Sequence, residues 1–120
     1  MSRDRLFLLK PGYEDGGDGP FYCPGSLKLE GLLAWYPQVR QALDVQYIEF
    51  PRPRKVLVEL IGADNQGAPV LVLGASPPKG ADRTTVRQHG ATAFVNGSDH
   101  ILAYLSAAHG LPTDHHQKKK

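Results

Sequence analysis

A change in the spacing of apolar residues constrains this chain more than any other feature. Arg5-Leu6-Phe7-Leu8-Leu9 is a short, uninterrupted apolar run that stops at Lys10-Pro11-Gly12. Such a run suits a strand buried on both faces, the kind found in parallel sheets covered by helices on each side. From Pro24 the period lengthens. Leu29, Leu32, Leu33 and Tyr36 fall at i, i+3, i+4 and i+7, one face of a helix. Pro37 ends or kinks that helix, and Val39, Ala42 and Leu43 suggest a further turn or two. Val45 to Phe50 is then rich in β-branched and aromatic residues and forms a second strand that stops at Pro51. A strand, a helix and a second strand in this order imply a right-handed crossover and two parallel strands.

The remainder extends the pattern. Val56, Leu57, Leu60 and Ile61 predict a short helix that Gly62 can close. Val70 to Leu73, behind Pro69, reads as a third buried strand, and Thr92 to Val95 as a fourth. Gly97-Ser98-Asp99 opens a last helix, with Ser98 as N-cap and Asp99 suited to the dipole of its first turn. Ile101, Leu102, Leu105 and Ala108 supply its apolar face, and Gly110 and Pro112 end it. Gly12 to Pro20 reads as a loop, and Gly74 to Gly90 as a polar connection that is long for a small domain. The expected order is β-α-β-α-β-β-α. If the final two strands form an antiparallel hairpin, the fold is α/β, with a four-stranded mixed sheet and helices on both faces. Residues 1–112 are expected to form one domain, and 113–120 a disordered tail.

Composition excludes several classes. No apolar run approaches the ~20 residues of a membrane span, and Met1 to Lys10 lacks a signal-peptide pattern. Three of the 14 basic residues are the terminal Lys118, Lys119 and Lys120, leaving 11 against 12 acidic ones. That near-neutral body gives no footing for a nucleic-acid surface. Neither a membrane nor a nucleic acid is therefore an expected partner, and a monomer or weak homodimer is the expected state. The five histidines show no metal-ligand spacing on a predicted helix, so no metal is expected. A single cysteine rules out an intramolecular disulfide and any zinc site built mainly on thiolates. It also fits a reducing cytoplasm.

That one thiol, Cys23, falls just before the first helix. Pro24 follows it, and proline is favoured at the first helical position because its missing N–H would be unsatisfied there anyway. A cysteine at that N-cap meets free backbone N–H groups and the positive end of the helix dipole, both of which favour the nucleophilic thiolate. The residues leave open an inert, buried cysteine, a common fate of free Cys.

Phe21-Tyr22-Cys23-Pro24-Gly25-Ser26 resembles the active-site motif of glutaredoxins, which place Cys-Pro-x-Cys or a Cys-x-x-Ser variant at this helix start. Ala68-Pro69 matches the position of the cis-proline of thioredoxin-fold proteins, and Gly97-Ser98-Asp99 is similar to the glutaredoxin turn at the last helix. Over residues 3–112 the chain resembles an uncharacterised bacterial family of thioredoxin-like proteins. The likeness is carried by Phe7 to Gly12, Glu30-Gly31-Leu32-Leu33-Ala34, Pro51-Arg52-Pro53-Arg54 and Asn65-Gln66 ahead of Pro69.

The resemblance implies a thioredoxin-like layout and a monothiol thiol–disulfide protein that works with glutathione or a glutathionylated partner. Cys23 would be the nucleophile, and Ser26 would stand where dithiol enzymes carry the resolving cysteine. Lys10, Tyr22, Ala68, Pro69, Ser98 and Asp99 would bind glutathione, with Arg52 or Arg54 as further contacts to a carboxylate. Because a hydroxyl cannot close a disulfide, a second glutathione would have to release the first. The insertion Glu14 to Gly19 is longer than glutaredoxins use and could cover Cys23 or depress its reactivity. Two other readings stay open. One is a thioredoxin-fold binding module without catalysis. The other is a carrier in which two chains and two glutathiones hold a [2Fe–2S] cluster.

Overall fold

The computed structural model describes residues 3–74 and 81–115. Its elements, in chain order, are β1 (Arg5–Leu9), β2 (Tyr13–Asp15), β3 (Asp18–Phe21), α1 (Pro24–Trp35), α2 (Pro37–Ala42), β4 (Asp44–Ile48), α3 (Lys55–Ile61), β5 (Val70–Val72), β6 (Arg87–His89), β7 (Thr92–Asn96) and α4 (Ser98–His109). The expected mixed α/β architecture is present and compatible with a thioredoxin-like layout. β1 runs parallel to β4 and antiparallel to β5, and β7 is antiparallel to both β5 and β6, in the sheet order β4-β1-β5-β7-β6.

The sheet divides its side chains between two cores, because successive residues of a strand point to opposite faces. Leu6 and Leu8, with Leu71 and Val95 across the register, meet Leu29 and Leu33 of α1 and Ile101 and Leu105 of α4. Phe7, Val70, Val72 and Phe94 face the other way, onto Leu57 and Ile61 of α3. All of these are buried, and each contributes about 1.5–3 kcal/mol through removal of apolar surface from water. Two covered faces explain why the β1 sequence is continuously apolar. At the far side of the first core, Tyr104 Oη is buried without a hydrogen-bond partner among the described residues. Burial pushes this phenol above its ordinary value, Asp4 adds to the shift and Arg83 opposes it.

The structure differs from the sequence expectation at several points. The sheet has a fifth strand, β6, inside the segment read as a connection; residues 75–80 of that segment lie outside the described residues. The β6 strand is held by the ladder to β7 and by His89 packing on Gly62. Gly62 closes α3 at φ +92, and a Cβ there would stand 2.8 Å from His89 Cε1. Gly12 to Pro20, read as a loop, contains most of a two-stranded hairpin, β2–β3. Its turn residues Gly16 and Gly17 both have positive φ, the requirement of the tightest hairpin turns. Pro37 both ends α1 and starts α2. Ser98 begins α4 instead of capping it, and Gly97 holds the N-cap position with no side-chain hydrogen bond. Gly110 ends α4 in the left-handed conformation. In the segment read as a tail, Thr113, Asp114 and His115 are described and exposed, and 116–120 lie outside the described residues. Among the described residues no helix is long and apolar enough to cross a membrane.

Candidate functional site

Cys23 caps α1. Its backbone is extended, and its sulfur accepts the N–H of Ser26 at 3.4 Å, one of the amides a helix start leaves without a partner. No acidic residue occupies the first turn, so no carboxylate competes with the sulfur for the positive end of the helix. The thiol is half-buried, and on its other side it lies 3.9 Å from the carbonyl oxygen of Ala68. The Ala68–Pro69 bond is cis, as the resemblance implies. A Cβ on Gly25 would stand 3.1 Å from Pro69 Cδ and 3.2 Å from Ser98 Cβ. The starts of α1, β5 and α4 therefore converge within van der Waals contact, and glycine at 25 is what lets them do so.

Ser26 has a role that its position in the motif does not reveal. Its hydroxyl is buried and accepts the N–H of Leu9 at 3.0 Å, tying the first turn of α1 to the end of β1. That oxygen is thus engaged away from the thiol, and the backbone N–H of the same residue is what meets the sulfur.

Arg54 is the residue that sequence reasoning misplaced most. Arginine is among the types rarely buried without a partner, yet Arg54 is only 7% exposed. Its Nε and Nη2 donate to the Phe50 carbonyl at 3.0 and 2.7 Å, and Nη1 donates to the Gln66 carbonyl at 2.7 Å. Its own N–H donates to Gln66 Oε1 at 2.8 Å, and its guanidinium lies 5.5 Å from the Phe50 ring. Among the described residues it has no carboxylate partner. Burial pulls the guanidinium below its ordinary value and repulsion from Arg52 adds to that, while attraction to the charged forms of Cys23 and Tyr13 opposes it. A buried cation held by carbonyls therefore sits within electrostatic reach of the thiol.

The other expected residues separate into two groups. Ala68, Pro69 and Ser98 stand around the thiol end of α1, as described. Asp99, exposed in the first turn of α4, pairs with Lys28 of α1 at 3.1 Å, so its carboxylate is already engaged by an ammonium. Lys10 is exposed and pairs loosely with Glu49 at 3.6 Å, and Arg52 is exposed.

Beside the thiol opens a cavity of about 160 Å³, walled by Leu9, Pro11, Tyr22, Leu27 and Tyr47 together with Cys23 itself. Tyr22, Leu27 and Tyr47 are large, exposed side chains. The one charged residue in its wall is Glu30, whose carboxylate receives hydrogen bonds from Arg40 and from the Tyr47 hydroxyl. Nothing in the sequence pattern pointed to this cavity, because it is assembled from β1, α1, β4 and the residues that flank the hairpin. No group of three or more histidine, cysteine or acidic side chains able to hold a metal occurs among the described residues.

Residues 3–113 match the family model of DUF3088, a protein of unknown function. No curated protein and no solved structure matches the chain.

Proposed function

The chain belongs to the DUF3088 family, and from that premise we propose that it is a thioredoxin-like, monothiol thiol–disulfide exchange protein that works with glutathione. The observation that carries this reading is the setting of Cys23: a half-buried sulfur capping α1, beside the Ala68 carbonyl and within reach of the Arg54 charge. In the proposed cycle the Cys23 thiolate attacks the glutathione sulfur of a glutathionylated protein. A Cys23–glutathione disulfide forms, and the protein's own thiolate leaves and takes up a proton. A second glutathione thiolate then attacks the glutathione sulfur of that intermediate. This step releases the Cys23 thiolate together with glutathione disulfide, so the mixed disulfide of the partner protein is reduced at the expense of one glutathione thiol. The helix N-terminus favours the thiolate both as attacking group and as leaving group. Ala68 would pair with the peptide part of glutathione through its backbone, and such a cycle belongs in a reducing, glutathione-containing compartment such as the cytoplasm.

The test is the mass of the intact protein after incubation with glutathione disulfide, followed by turnover of a small glutathione mixed disulfide. One adduct on the wild-type chain, none on Cys23→Ser, and glutathione-dependent turnover by the wild type alone are expected. No adduct under conditions that modify a free cysteine would overturn the reading. The exposed Phe21, Tyr22, Leu27 and Tyr47 favour a second reading, a binding module that uses this surface without the cycle. In that case Cys23→Ser would leave partner binding intact.

A further inference from the structure

We propose that the cavity beside Cys23, together with the β2–β3 hairpin, binds a segment of a partner polypeptide. That segment carries one uncharged ring or branched apolar side chain flanked by lysine or arginine. Size and charge point to this occupant. A dry cavity of about 150 Å³ lined by apolar side chains holds a benzene-sized group, and this one measures about 160 Å³. Its single charged wall residue, Glu30, is already neutralised by Arg40 and hydrogen-bonded by Tyr47. The cavity therefore offers no free charge and suits an uncharged anchor.

The surroundings are different. Pro11 and Tyr22, which flank the hairpin, both line the cavity. Along the hairpin stand Glu14, Asp15 and Asp18, all exposed and in no ion pair among the described residues. Glu30, Glu49 and Asp99, by contrast, each have a cationic partner. The hairpin is held in place, since Tyr13 stacks on Phe50 with centroids 4.3 Å apart and Gly12 N–H donates to the Phe21 carbonyl at 2.8 Å. Asp15 lies four positions after Pro11 and Asp18 four before Tyr22. At about 3.4 Å per residue, these carboxylates stand roughly 14 Å from the cavity mouth, within reach of an extended partner chain that is basic about four residues from its anchor. Glutathione has no apolar side chain for the cavity and carries a net negative charge, so this surface selects the protein half of a mixed disulfide. The proposal rests on the thiol reading only for what lies at Cys23; the binding itself needs no sulfur.

The experiment uses the full chain carrying Cys23→Ser and short, fluorescently labelled peptides without cysteine, compared by anisotropy. One peptide has a central phenylalanine with a lysine four residues to either side. A second replaces the phenylalanine with alanine, and a third replaces the lysines with glutamate. The first is expected to bind at least about tenfold more tightly than either of the others, with an affinity that falls as salt rises. Glu14→Gln/Asp15→Asn/Asp18→Asn should abolish the preference for lysine over glutamate, and Leu27→Glu, at an exposed wall position, should abolish the preference for phenylalanine. Equal binding of all three peptides, or loss of neither preference in these variants, would overturn the proposal. So would concentration-dependent dimerisation that excludes the first peptide, since the occupant would then be a second copy. Failure of the glutathione adduct with these preferences intact would refute the thiol chemistry and leave the docking surface standing.

Discussion

The two helices that begin beside each other, α1 and α4, satisfy their N-termini in opposite ways. At α1 the cap is a side chain, the Cys23 sulfur, and the first turn contains no acid. At α4 the cap is Gly97, without any side-chain bond, and Asp99 supplies a negative charge that Lys28 then neutralises. The positive end of α4 is thus met by a carboxylate already in an ion pair, while that of α1 is left to a thiol. The charged form of Cys23 in turn favours the charge on the buried guanidinium of Arg54. Both starts obey one rule about unpartnered amides, but only at α1 is the partner a thiol. The contrast also predicts where substitutions hurt: the α1 start rests on the half-buried Cys23 sulfur and the buried, hydrogen-bonded Ser26, and the α4 start on an exposed pair.

Arg54→Met tests that contrast most severely. It leaves the Phe50 and Gln66 carbonyls without their guanidinium donors, and should lower the unfolding free energy in urea by about 2–4 kcal/mol. A structural loss alone would stop there. Removal of the charge should also slow alkylation of Cys23 in the folded protein several-fold, while Arg52→Met, at an exposed position, should not. Equal rates for wild type and Arg54→Met would remove Arg54 from the chemistry. Ser26→Ala comes next. It orphans the buried Leu9 N–H and should cost about 1–3 kcal/mol, although the motif by itself suggests only a missing resolving thiol.

These two residues show how far the chain could be read without coordinates. The central strands and the helices on both faces follow from local pattern, because a run such as Leu6 to Leu9 or a spacing such as Leu29, Leu33, Tyr36 is decided by neighbours in sequence. So does the cap, since Cys-Pro before a helical period fixes Cys23 at the N-terminus. The hairpin reads as a loop, although Asp15-Gly16-Gly17-Asp18 supplies two residues free to adopt positive φ between short strands. What local pattern cannot show is where a polar side chain spends its hydrogen bonds. Arg54 donates to carbonyls four residues before it and 12 after it, and the Ser26 hydroxyl accepts an N–H 17 residues before it. A proline-flanked arginine looks solvated until the fold brings Phe50 and Gln66 around it. The cavity draws on three elements and on Pro11 and Tyr22 at the two ends of the hairpin, and so has no sequence signature at all.

A milder perturbation compares the caps themselves. Cys23→Ala removes the acceptor of the Ser26 N–H and should cost about 1 kcal/mol, whereas Cys23→Ser, which supplies a favoured N-cap oxygen, should cost less. The order matters more than the size. If alanine and serine prove equal, the sulfur does not hold the helix start, and its placement there needs another cause.

The smallest stability effect belongs to α4, and it separates a spent helix terminus from a ligand contact. Asp99→Asn and Lys28→Met each dissolve an exposed pair, and each should change stability by no more than about 0.5 kcal/mol, less in high salt. Their effects on glutathione turnover should nevertheless have opposite signs. If the ammonium of glutathione takes the place of Lys28 at Asp99, Lys28→Met removes a competitor and lowers the KM for glutathione, whereas Asp99→Asn removes the acceptor and raises it. Both shifts should be a few-fold, since an exposed charge pair is worth little, and kcat should be unchanged because neither group touches the sulfur. A KM indifferent to both substitutions would mean that the α4 terminus is occupied by its own ion pair and nothing else. Recognition of glutathione would then fall entirely to the start of α1 and the Ala68 backbone.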